Sequence, residues 1–195
     1  HFISVAERYD LMQALDRWVI QQSLVEWKRA NSELGLMPTF SINLSGHSLS
    51  SETFMKTLEK WVIESQIPPQ CLCFELPETA AIAHPERARE VIERLRARGN
   101  KFWLDDFGAG LSSFNYIKHF PVDGIKIDGI FVKGISKSYL DYALTEAITR
   151  VARALGLGTV AEYVENEDIA KKLRQLGIEY GQGFWIGKPL PWEQT

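Results

Sequence analysis

The feature that most constrains this chain is the regular alternation of strand-like and helical segments, with no hairpin between them. Residues 11–30 place Leu11, Leu15, Trp18, Val19, Val25 and Trp27 at helical spacing. "TFSINLS" (39–45) reads as a strand and residues 50–66 as a helix. "CLCFEL" (71–76) is the next strand, and 84–100 a helix with Pro85 in its first turn and Gly99 at its end. The strands "KFWLDDF" (101–107), "GIKIDG" (124–129), "GTVAEYV" (158–164) and "YGQGFWIG" (180–187) follow, with helices at 138–156 and 166–177. Six strands separated by helices, without a linker rich in Gly, Ser or Pro, imply an α/β protein with a parallel sheet. Two arrangements fit, a doubly wound sheet and a (β/α)8 barrel. A barrel domain runs to about 250 residues, so 195 residues and six strands match a single barrel domain over 1–195 that lacks its first two strands.

The carboxyl ends of these strands are polar in every case: Asn43, Glu75, Asp105 with Asp106, Lys126 with Asp128, Glu162 and Gln182. Taken singly, each is explained by solvent or by capping of the next helix. In a parallel barrel, however, all six ends gather at one rim. Asn43, Glu75, Asp105, Asp106 and Glu162 form an all-oxygen set, and clustered carboxylates persist only when protonated or neutralised by cations. The four histidines, at 1, 47, 84 and 119, lack metal-ligand spacing, which argues against zinc. Hard oxygen ligands suit Mg²⁺ or Mn²⁺. The adjacent aspartates could serve two ions about 4 Å apart, as in two-metal phosphoester cleavage. Lys126, between Ile125 and Ile127, is expected to be buried and to face the developing charge or the attacking water. The glycines of "DDFGAGLSSF" read as a βα loop leading into a helical "SSFNYIKHF".

Composition narrows the partners. A net charge of -3 with no long Lys/Arg block offers no footprint for duplex nucleic acid or a membrane surface. No apolar run approaches the ~20 residues of a membrane span, and the first residues are not a signal peptide. Cys71 and Cys73 read as buried apolar residues of a reducing compartment. An opening without Met, already inside a helix, is expected of part of a longer protein.

Over essentially its whole length the chain resembles the EAL domain, the bacterial cyclic di-GMP phosphodiesterase module. The resemblance is carried by "FISVAERYDLMQALDRWVI", "INLS", "FELPET", "DDFGAGLSSF", "PVDGIKID", "VAEYVEN" and "LGIEYGQGFWIGKPLP". It implies a TIM-like (β/α)8 barrel with one strand running against the rest. It also implies Mg²⁺- or Mn²⁺-dependent hydrolysis of cyclic di-GMP to linear pGpG. By motif, Asn43, Glu75 and Asp105 would bind one metal, and Asp105, Asp106 and Glu162 the second. Lys126 and Glu162 would position or deprotonate the attacking water. Gln182 would support water and substrate, and Glu78 would brace the loop after the aspartate pair.

That loop commonly mediates dimerisation in the family, so a homodimer is expected. So are a cytoplasmic location and upstream sensor or cyclase domains, which tether some family members to a membrane. The Glu-Ala-Leu signature does not occur here; its place is on the two N-terminal strands missing from the count. Without them two sheet edges are unpaired, and the stretch alone is expected to be poorly soluble and inactive. Two further departures are "GHSL" at 46–49 and Tyr163, which stands where the family usually has glycine. The alternative to an active enzyme is a degenerate EAL domain that senses cyclic di-GMP or regulates a partner without cleaving it.

Overall fold

A computed structural model describes residues 2–109 and 116–190. Helices α1 (Phe2–Arg8) and α2 (Met12–Leu34) precede strand β1 (Phe40–Asn43). Helices α3 (Gly46–Ser50) and α4 (Glu52–Ser65) lead through a 3-10 turn at Pro69–Cys71 into β2 (Leu72–Pro77). Helices α5 (Glu78–Ala83) and α6 (Pro85–Arg96) lead to β3 (Lys101–Phe107). After β4 (Gly124–Ile127) come α7 (Gly129–Val132) and α8 (Tyr139–Ala154), then β5 (Gly158–Ala161), α9 (Glu167–Leu176) and β6 (Tyr180–Gly181). The helical segment expected at 112–120 begins within residues 110–115, outside the described ones.

The six strands run in the order β1-β2-β3-β4-β5-β6. The pairs β1–β2, β4–β5 and β5–β6 are parallel. A doubly wound sheet reverses its strand order at a switch point, whereas this order follows the chain without reversal. The fold is therefore of the TIM-like (β/α)-barrel class.

Two compact units divide the chain, one of residues 1–103 and 119–122, the other of 104–118 and 123–195. In the first, β2 is buried from Leu72 to Leu76, as expected of a parallel strand covered on both faces. Its core holds Ile20, Leu24, Ile42, Phe54 and Leu58, with the rings of Phe74 and Phe102 5.5 Å apart. Cys71 and Cys73 are buried and form no disulfide. In the second unit, all four residues of β4 are buried, and so are Leu104, Phe107, Val132, Ile148 and Ile169.

Capping residues set the helix boundaries. The side chains of Ser51, Ser138 and Asn166 accept from the backbone N–H groups of Phe54, Asp141 and Ile169, satisfying donors that a helix start leaves open. The expected helix over 50–66 is preceded by a separate short turn, α3, because Ser45 caps it while donating to Asp16 of α2.

The largest departure is β6, expected over 180–187 and limited to two residues. Gly183 ends it. A Cβ there would overlap the backbone of Val164, and the N–H groups of Ile186 and Gly187 both turn back to the Gly183 carbonyl at 3.0 Å.

Candidate active site

Side chains along a strand alternate between faces, so neighbouring carboxylates at the end of β3 should diverge. Asp106 instead has φ +53°, a left-handed conformation that aspartate tolerates better than bulkier residues. This interrupts the alternation where the strand ends. Among the described residues, Asp105, Asp106 and Glu162 each offer a carboxylate oxygen, and these oxygens all lie within 4.8 Å of one another. Glu162 follows directly on β5, its N–H donating to the Ile127 carbonyl at 3.1 Å.

Lys126 brings the compensating charge. It is 4 % exposed, in the middle of β4, and its Nζ lies 2.9 Å from Asp105 Oδ1 and 2.8 Å from Glu162 Oε1. One ammonium against three carboxylates leaves an excess of negative charge. Partial desolvation, followed by repulsion from Asp105 and Asp128, holds the carboxyl of the otherwise exposed Asp106 above its ordinary pKa. Burial also raises Glu162, against the opposing hydrogen bond from Lys126. These are the conditions in which a divalent cation is favoured, since it would supply the missing positive charge. The donor set, all carboxylate oxygen, fits Mg²⁺ or Mn²⁺.

Gln182 reaches the same place through its backbone. Its N–H donates to the Ala161 carbonyl at 2.8 Å, and its carbonyl accepts from Val164 N–H at 2.9 Å. These bonds fix it beside the end of β5. Asp106, Glu162, Tyr163, Gln182, Gly183 and Phe184 line one open pocket. Asp128 caps α7, accepting from Ile130 N–H at 2.7 Å.

In the first unit, Asn43 and Glu75 are register partners across β1 and β2. Asn43 is exposed and Glu75 is 6 % exposed. Glu78 is 2 % exposed in the first turn of α5; the loop it was expected to brace includes residues 110–115, outside the described ones. In the second unit Lys126 meets Asp105 and Glu162, Asp106 lies beside both carboxylates, and Gln182 shares a pocket with Asp106 and Glu162.

Three neighbours escape a reading of strand ends. Phe184 lines the pocket, and an aromatic directly after "GQG" is the one signal that could have flagged it. Gly129 and Lys133 both meet the Tyr163 ring, at spacings that no local pattern reveals.

A family model described as the EAL domain matches residues 1–189. The chain is 44% identical over 190 residues to the cyclic di-GMP phosphodiesterase PdeB of Shewanella oneidensis, covering 97% of this chain and 22% of that protein. It is 39% identical over 188 residues to the cyclic di-GMP phosphodiesterase PdeA of Borreliella burgdorferi, covering 96% and 28%. The chain thus spans roughly a quarter of the length of these curated relatives. The solved structure of the PaMucR phosphodiesterase in complex with c-di-GMP matches with a TM-score of 0.87 at 28% identity, covering 99% of this chain and 78% of that one.

Proposed function

The chain belongs to the EAL domain family, and on that premise we propose that it hydrolyses cyclic di-GMP to linear pGpG in a divalent-metal-dependent reaction. The observation that carries this reading is the cluster of Asp105, Asp106 and Glu162 around the Lys126 ammonium. Those three carboxylates would hold Mg²⁺ or Mn²⁺, and Asn43 and Glu75 are proposed as further oxygen ligands on the sequence motif alone. A bound divalent cation supplies positive charge against the phosphodiester and the charge that develops on it.

The remaining roles fall to side chains. Lys126, held between two carboxylates, orients the attacking water and offers a hydrogen bond to it. Glu162 accepts the proton of that water. Water adds across one of the two phosphodiester bonds, leaving a 5′-phosphate on one nucleotide and a free 3′-hydroxyl on the other. Gln182, in the wall of the pocket, contacts the substrate.

A second reading, binding without cleavage, is favoured by Tyr163, whose half-exposed ring shares the pocket with Glu162. One experiment separates them. The full-length protein is incubated with cyclic di-GMP and Mg²⁺ or Mn²⁺, with binding followed by calorimetry and pGpG by chromatography. Turnover is expected. Tight binding without product would overturn the enzymatic reading in favour of the sensor.

A further inference from the structure

Tyr163 has φ +55°, a conformation that is a genuine outlier for a bulky side chain. Such strain persists only where the surroundings over-determine it. Two contacts do so here. The ring lies against Gly129 at the start of α7, where any Cβ would overlap ring atoms. Lys133 Nζ sits 3.8 Å from the ring centroid, within cation–π range. The ring is thus anchored on two sides and yet 51 % exposed. Its open part lines the pocket beside Glu162, Gln182 and Phe184.

A strained, immobilised aromatic with its free surface in a substrate pocket is a preformed contact surface, with little ordering left to lose on binding. We propose that Tyr163, held by Gly129 and Lys133, is a specificity-determining residue of this site that packs against a purine base of the substrate. The inference rests on the cyclic dinucleotide reading above and adds to it the residue that recognises the base. Phosphate and metal contacts do not distinguish one diester from another, whereas an aromatic wall selects planar heterocycles.

The test is binding of cyclic di-GMP to full-length protein carrying Tyr163→Gly, Tyr163→Leu or Tyr163→Phe, each first checked for a cooperative thermal transition. Tyr163→Gly removes the ring and also relieves the strained φ, so loss of affinity in it is not loss of fold. The Gly and Leu variants are expected to bind about tenfold more weakly, within the range of one base–aromatic contact. Tyr163→Phe is expected to recover the affinity that Tyr163→Leu loses. Lys133→Met, which frees one side of the ring, should weaken binding by roughly threefold, in the range of an exposed cation–π contact. Unchanged or tighter binding by Tyr163→Gly would overturn the proposal, showing that the ring is neutral or obstructs the pocket. A wild type that binds and cleaves while the Gly variant is unaffected would sink the base contact alone. A wild type that does neither would sink the phosphodiesterase reading beneath it.

Discussion

Lys126 shows how much of this site is decided by single side chains. A buried ammonium is stable only with partners, and Asp105 and Glu162 supply two. Removing it strands two nearly buried carboxylates, so Lys126→Met should destabilise the metal-free protein by about 3 kcal/mol. Urea denaturation measures this, and an unchanged midpoint would show that the carboxylates are well solvated.

The raised carboxyls make a second prediction. Asp106 and Glu162 in the folded protein retain protons that the unfolded chain has already released. Their contribution to stability is therefore complete below the ordinary carboxylate pKa and declines as pH rises through their raised values. The melting temperature of metal-free protein should fall across that window, less steeply in Asp106→Asn, and added Mg²⁺ or Mn²⁺ should offset the fall. Equal slopes in wild type and variant would contradict the assignment. These residues stood out as candidates because a polar group closes every one of the six strands, and single explanations by solvent or capping serve poorly for a series. The left-handed turn that gathers Asp105 and Asp106 was not, since φ leaves no mark on the sequence at an aspartate.

At the scale of elements, the ends of β4 and β5 are built for each other. Gly129 opens α7 directly after β4, and Tyr163 follows β5 two residues on. Each conformation presupposes the other. Gly129→Ala pushes a methyl group into the Tyr163 ring and should cost about 1–3 kcal/mol. Combined with Tyr163→Gly, most of that cost should vanish, so a double-mutant cycle of thermal stabilities should give clear coupling. Additive effects would mean that the ring moves aside freely. No sequence pattern announces a contact between positions 34 apart, so the sequence marks Tyr163 as unusual without marking Gly129 as its partner. The element boundaries also explain the shortened β6: "YGQGFWIG" has the aromatic and β-branched residues of a strand, but Gly183 admits a close approach of Val164 that turns the chain.

For the whole molecule, strands in chain order go with the helices described between β1 and β2, β2 and β3, β4 and β5, and β5 and β6, and that much could be read from hydrophobic periodicity. Buried runs such as "GIKI" and "LCFEL" mark strands covered on both faces. No helix among the described residues is long and apolar enough to cross a membrane.

The strand order matters to function because it puts the ends of β3, β4 and β5 side by side, and the proposed chemistry depends on that adjacency. The direct test of the account is product analysis with cyclic di-GMP and Mn²⁺, comparing full-length protein with its Asp105→Asn variant. The wild type should accumulate pGpG, and the variant, which loses one of the three clustered carboxylates and half of the Lys126 pairing, should form at least about a hundredfold less, a barrier change near 2.7 kcal/mol. Equal rates of pGpG formation in the two proteins would show that the aspartate pair is structural and would contradict the central claim.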